Sequence, residues 1–238
     1  MDYLLNAGFL ALFTAPFVAL ALWTSKEYRW IPAVLFLGLL ALDDLATILP
    51  FAVGALEFVG GRWNWEGKVL SIGWAVMFLW LGPLSFSEAG VSFRQRSGSI
   101  RSAVLATLGL TAASFGIGVA FGGGSFNAET LAFQLTMPGF AAELVYRGVF
   151  IALLHRALPS AESIVRWRPV VITAVAFGIW HGLSVDGGAV AFDWLAASFP
   201  FIGGLAYGWL REQTGSLLFP VVAHNGGNTA ALFGSLIG

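Results

Sequence analysis

The chain has 238 residues, of which only 11% are charged and 58% are apolar, and its mean hydropathy is +0.81. Soluble domains carry roughly 25% charged residues, so this composition excludes a soluble globular protein and indicates an integral membrane protein. The net charge of −1 argues against nucleic acid as a partner, because a phosphate-binding surface needs a basic excess. Since the sequence has no cysteine, it excludes disulfides, thiolate metal sites and a thiol nucleophile.

Eight apolar stretches are long enough, some only loosely, to cross a hydrocarbon core about 30 Å thick as helices. They cover approximately residues 4–23, 31–53, 69–87, 102–121, 128–154, 169–184, 189–210 and 216–236. The sequence therefore predicts an all-α fold, a polytopic transmembrane helical bundle of about eight spans that forms a single membrane domain over residues 1–238.

The basic residues are distributed unevenly over the predicted connections. Nine of the twelve follow the first, third, fifth and seventh spans, whereas only Arg62 and Lys68 follow the second. The nine are Lys26, Arg29, Arg94, Arg96, Arg101, Arg156, Arg166, Arg168 and Arg211. The positive-inside rule then places both termini outside the cytoplasm. Only Asp2 precedes the first stretch, so we interpret this stretch as an anchor and not as a cleavable signal peptide.

Ionisable and amide side chains lie inside three of the predicted spans, where burying a charge costs several kcal/mol. Glu143 and Arg147 are four residues apart in the fifth span, a spacing that permits an ion pair on one helix face. The Pro138-Gly139 pair before them predicts a kink. His181 ends the sixth span, and the eighth contains His224 and Asn228 one turn apart. Each alone is compatible with a structural role.

Two further groups of polar residues lie in or next to the predicted spans. Asp43 and Asp44 lie inside the second span, where they are expected to pair with Arg147 or to line a water-filled cavity. His155, beside Arg156, is interpreted as an interfacial residue at the end of the fifth span.

A carboxylate, two imidazoles and an amide are the components of a hydrolase that activates water. A carboxylate or imidazole can take the proton from the water, and the other groups can stabilise the oxyanion. His181, His224 and Glu143 are also credible ligands for a divalent metal such as zinc, since two histidines and a glutamate form some catalytic zinc sites. The His-Glu-x-x-His motif is absent, however, so the spacing does not support zinc.

These motifs resemble the CAAX prenyl protease and bacteriocin-processing (CPBP) family of intramembrane proteases, also called the abortive-infection family. The family carries Glu-Glu-x-x-x-Arg, Phe-x-x-x-His and His-x-x-x-Asn/Asp on three membrane helices. Here the corresponding stretches are 142–147, 177–181 and 224–228, and the resemblance covers about residues 127–236. One position departs from the pattern, because the first glutamate of the family falls on Ala142.

The resemblance implies a role for each matching position. The glutamate missing at Ala142 would be the general base, and His181 would help it to activate a water molecule. His224 and Asn228 would hold the substrate carbonyl and the oxyanion. Glu143 and Arg147 are implied as supporting groups of the site. The chemistry favoured by the resemblance is metal-free and uses no cofactor.

The sequence therefore predicts an intramembrane endopeptidase that cuts a membrane-anchored or lipidated polypeptide near the cytoplasmic or mid-membrane level. As written, the chain is expected to be inactive, and an engineered Ala142 is favoured over a natural non-catalytic relative because the other motif residues are present. The alternatives are a peptide-binding or bacteriocin-immunity-type pseudo-protease and, less favoured, a small transporter. The expected location is the inner (plasma) membrane of a prokaryote.

Overall fold

The computed structural model describes residues 2–159 and 163–238 and confirms that the chain is helical. The described helices are α1 (Asp2–Trp23), α2 (Trp30–Ala52), α3 (Trp65–Leu81), α4 (Ile100–Ala120), α5 (Ala128–Ala157), α6 (Ser163–Gly182), α7 (Trp194–Thr214) and α8 (Leu218–Ser235). A short 3₁₀ turn, Gly54–Leu56, follows α2.

Four of the described helices, α1, α2, α4 and α5, are long and apolar enough to cross a membrane. Together with the scarcity of charged residues, they make the chain an integral membrane protein. The largest set of buried apolar side chains lies where α2, α3 and α6 pack around the second half of α5. In α5 every residue from 141 to 154 is buried, so this helix forms the centre of the bundle.

The bundle is all-helical as predicted, with a short β-hairpin inserted between two of its helices. Strands β1 (Leu183–Asp186) and β2 (Ala189–Phe192) pair in antiparallel fashion between α6 and α7. Gly187 and Gly188 connect them with positive φ angles of 55° and 81°, a conformation that favours glycine in two-residue hairpin turns. The predicted seventh span, which began at residue 189, is therefore wrong at its start.

Local sequence explains where two helices begin and end. The Asp193 side chain caps α7 by accepting hydrogen bonds from the backbone N–H groups of Leu195 and Ala196. Helix α3 ends at Leu81, before Gly82-Pro83, and so stops short of the predicted limit at residue 87, because proline cannot continue the hydrogen-bond ladder. Residues 82–99 cross the end of the bundle without a helix.

Hydrogen bonds join the connections at each end of the bundle into two separate groups. We call the connections after α1, α3, α5 and α7, with the helix turns next to them, the basic end. Both chain termini and the connections after α2, α4 and α6, with the helix turns next to them, form the acidic end. Bonds at the basic end join Arg29 to Ala157, Arg96 to Thr214, Arg156 to Glu88 and Leu217 to Gly90. Bonds at the acidic end join Arg62 to Glu129, Gly123 to Ser235 and Gly187 to Asp2. Successive helices therefore run in opposite directions.

The long connection 82–99 is held to the bundle by Glu88. This carboxylate accepts a hydrogen bond from the backbone N–H of Ser85, which with the Arg156 guanidinium holds the pKa of Glu88 below its usual range. The Arg211 guanidinium donates to the Glu88 carbonyl oxygen at 2.7 Å. His155 lies at this same end, where its Nε2 is 2.8 Å from a Glu212 carboxylate oxygen.

Candidate active site

Helix α5 continues through Pro138, and an asparagine of α8 takes up the hydrogen bonds that the proline disturbs. The Asn225 side-chain oxygen accepts from the Gly139 N–H at 2.7 Å, and its amide nitrogen donates to the Thr136 carbonyl at 3.0 Å. A Cβ atom on Gly139 would lie 2.6 Å from the Asn225 oxygen, so only glycine permits this approach. Sequence analysis did not identify Asn225.

Removing this amide is expected to destabilise the protein by about 1–3 kcal/mol, because Asn225→Ala removes two hydrogen bonds, to the buried Gly139 N–H and to the Thr136 carbonyl. The measurement is thermal unfolding of the purified protein in detergent. Asn228→Ala is the matched control, since the Asn228 side chain makes no hydrogen bond within the described part of the chain. Equal unfolding temperatures for the two variants would contradict the role given to Asn225.

Beyond the proline, α5 changes its hydrogen-bond register to a π-helix over Glu143–Phe150. Such segments are rare and are frequent at functional sites. The predicted ion pair is present within it, with Arg147 Nε 3.3 Å from Glu143 Oε2 and both side chains fully buried. The contact lacks hydrogen-bond geometry, and the arginine nitrogens have no hydrogen-bond acceptor among the described residues.

The guanidinium of Arg147 is instead surrounded by aromatic rings. Its central carbon lies 4.6 Å from the ring centroid of Phe177, 5.6 Å from that of Tyr207 and 5.7 Å from that of Tyr146. Cation–π attraction of this kind strengthens when the cation is desolvated. The rings therefore stabilise a buried positive charge whose only anionic contact among the described residues is the Glu143 carboxylate.

The second oxygen of Glu143 reaches across to α8. Glu143 Oε1 accepts a hydrogen bond from His224 Nδ1 at 2.7 Å. Because a carboxylate only accepts, Nδ1 carries a proton, which leaves Nε2 to accept a hydrogen bond in a neutral ring or to donate one in a protonated ring. The Tyr207 ring stacks on the imidazole at a centroid distance of 4.9 Å and an interplanar angle of 11°. The pair Glu143–Arg147 thus orients His224.

His181 is oriented by its own helix. Its Nδ1 donates to the Phe177 carbonyl oxygen at 2.8 Å, so Nε2 is again left as the acceptor in a neutral ring. The Phe177 and Trp180 rings contact the imidazole edge to face at centroid distances of 4.5 and 4.6 Å. Both predicted histidines are therefore held by Nδ1, and within the described part of the chain the Nε2 atom of each has no hydrogen-bond partner.

One cavity of about 480 Å³ brings four of the six predicted site positions together. Ala142, His181, His224 and Asn228 line its wall, whereas Glu143 and Arg147 lie behind that wall. Sequence analysis missed other polar side chains that line it, although they lie within or next to apolar spans: Lys68, Ser114, Gln134 and Tyr207. The arrangement can bind a polypeptide segment beside two imidazole rings and one amide.

The two aspartates of α2 do not pair with Arg147, and this expectation was wrong, as was the expectation that they line the cavity. Asp43 accepts from the Ser71 hydroxyl at 2.5 Å and from the Trp74 indole at 2.9 Å. Asp44 accepts from the Asn6 amide at 3.0 Å and from the Trp180 indole at 2.8 Å. Because Trp180 contacts His181, Asp44 fixes one wall of the site.

A possible metal site was tested against the donor groups. Within residues 2–159 and 163–238, no three His, Cys, Asp or Glu side chains come together in an arrangement that could hold a metal ion. The donors named from the sequence do not fit zinc, since Glu143 and His224 bond to each other and the Arg147 cation faces the other carboxylate oxygen.

Comparison with known proteins gives one match. No curated protein and no solved structure matches the chain. Residues 124–230 match the family model described as Type II CAAX prenyl endopeptidase Rce1-like. The matched range runs from just before α5 into α8 and contains the six predicted site positions, from Ala142 to Asn228. This part of the membrane protein is therefore similar to a family of endopeptidases.

Proposed function

We propose that the chain is an intramembrane endopeptidase of the CPBP or CAAX-protease type whose substrate is a membrane-associated or lipidated polypeptide. The observation that carries the proposal is the cavity in which position 142 meets His181, His224 and Asn228. The family match over residues 124–230 supports the same reaction class.

In the proposed reaction, water attacks the carbonyl carbon of a peptide bond. A glutamate at position 142, together with His181 Nε2, takes the proton from the water, while His224, protonated on both ring nitrogens, and Asn228 donate hydrogen bonds to the oxyanion. The tetrahedral intermediate then breaks its C–N bond, and the proton passes to the leaving amine. The products are a carboxylate and an amine, and no metal or cofactor takes part in the proposed steps.

Ala142 has no group that can accept a proton, so we propose that the chain as written binds a substrate and cleaves it poorly. In this proposal Ala142 is an engineered replacement of the family glutamate. Glu143 does not substitute for it, because both of its carboxylate oxygens face Arg147 and His224 behind the wall. A chain that only binds peptide, as an immunity-type pseudo-protease would, is the competing outcome of the test below.

We also propose that all eight helices cross the membrane. The two separate groups of hydrogen bonds at the ends of the bundle support this arrangement, because successive connections alternate between the ends. The nine basic residues at one end then favour a cytoplasmic position for that end and an external position for both termini. The proposed location is the inner membrane of a prokaryote.

The test is a comparison of membranes that contain either this chain or its Ala142→Glu variant, by mass spectrometry of newly formed peptide termini. We expect new termini only with the glutamate, and the peptides that carry them identify the substrate. Identical terminus profiles from two folded proteins would overturn the enzymatic proposal and favour a binding role.

A further inference from the structure

The cavity lies in the half of the bundle next to the acidic end. Trp63 precedes α3 and Lys68 lies in its first turn, while Gln134 lies in the second turn of α5. On the other side, His181 ends α6 and Ala231 lies in the last turns of α8. Apart from Tyr207 and His224, the lining residues within these helices come from the first halves of α3, α5 and α7 and from the second halves of α4, α6 and α8.

The opposite half of the bundle is closed. The segment of α5 from 143 to 154 is buried throughout, and the Glu143–Arg147 pair fills the space directly beneath the cavity wall. The Arg147 side chain is surrounded there by Tyr146, Phe177 and Tyr207. A substrate therefore has no path from the basic end to the histidines through the described part of the bundle.

The cavity also reaches the side of the bundle, between α4 and α7. Ile117, Phe199 and Ile202 line it and are 39%, 43% and 60% exposed, respectively. These apolar side chains face the membrane, so a lipid-anchored or membrane-embedded segment can reach the site from the adjoining leaflet.

The charges of the two ends differ in sign. The acidic end carries Arg62 and Lys68 against six acidic residues: Asp2, Glu57, Glu66, Glu129, Asp186 and Asp193. Among residues whose side chains are described, the basic end carries eight Lys and Arg against three acidic residues. The positive-inside rule places the basic end in the cytoplasm, which leaves the cavity open on the opposite side.

We infer that the site takes its substrate from the non-cytoplasmic side of the membrane, as an exported polypeptide or one anchored in the outer leaflet. The inference rests on the proposed function in one respect, that the molecule entering the cavity is a substrate. The side on which the cavity opens does not depend on catalysis. The inference replaces the cytoplasmic alternative in the expectation from sequence that cleavage occurs near the cytoplasmic or mid-membrane level.

Because the chain has no cysteine, single cysteines can be labelled without background. Gln134→Cys reports on the cavity, Phe58→Cys on the acidic end, where Phe58 is 65% exposed, and Phe93→Cys on the basic end, where Phe93 is 89% exposed. Each variant of the full chain is treated with a membrane-impermeant maleimide in intact bacterial cells and in inside-out vesicles. A permeant maleimide verifies that each cysteine is reactive.

We expect the cavity and acidic-end cysteines to react in intact cells and the basic-end cysteine to react only in inside-out vesicles. Labelling of Gln134→Cys in inside-out vesicles alone would overturn the inference, as would its failure to react with impermeant reagent in either preparation. No proteolysis is measured, so this result is independent of whether Ala142→Glu creates a peptidase.

Discussion

Replacing Ala142 by glutamate is expected to raise peptide-bond hydrolysis by about 10²–10⁴-fold, the typical contribution of a general base. The reason is geometric, since position 142 lies on the cavity wall with His181 and no other carboxylate lines that wall among the described residues. The measurement is cleavage of a lipidated peptide, identified by the first experiment, by purified full-length protein in detergent.

The matched control for this gain is Ala142→Gln, which adds nearly the same volume without a base. We expect the glutamine variant to remain as slow as the chain with alanine. Adding His181→Ala or His224→Ala to Ala142→Glu is expected to abolish the gain, because His181 would share the proton of the water and His224 would hold the oxyanion. Equal rates for the glutamate and glutamine variants would show that position 142 is not the base.

The parts of the site that could be predicted from sequence lie within single helices. Glu143 and Arg147 are four residues apart on one helix, so their contact follows from helical spacing. An ionisable residue in an apolar span is itself a signal, because it is retained there only when it is paired or used. That signal identified His181 and His224, which the structure places on one cavity.

Contacts between helices were less predictable, because they depend on how the helices pack. Asp43 has hydrogen-bond partners on α3, and no spacing along the chain indicates that two of them are Ser71 and Trp74. The same holds for the hydrogen bonds of Asn225 to α5. The hairpin is different, since Asp186-Gly187-Gly188 is a recognisable turn sequence that the search for apolar spans obscured.

Removing the Arg147 guanidinium is expected to cause the largest loss of stability. Arg147→Met leaves Glu143 as a buried carboxylate without a counter-charge, which typically costs about 3–5 kcal/mol. For a protein of this size that corresponds to a fall in the unfolding temperature of roughly 6–20 °C. Arg156→Met is the matched control, because its pair with Glu88 is exposed at 35% and 41%, and such pairs contribute about 0–1 kcal/mol.

The double variant Glu143→Gln/Arg147→Met separates the lost charge pair from lost packing. Because neither residue is then charged, we expect it to recover most of the stability that Arg147→Met loses. The measurement is thermal unfolding in detergent, with the fraction of protein that still elutes as a single species as the readout. One experiment gives the unfolding temperatures of the unmodified chain, the two single variants and the double variant. If the double variant is as unstable as Arg147→Met, the contacts of the arginine with the rings of Tyr146, Phe177 and Tyr207 outweigh its pairing with Glu143. The aromatic rings, and not the ion pair, would then hold the centre of α5 in place.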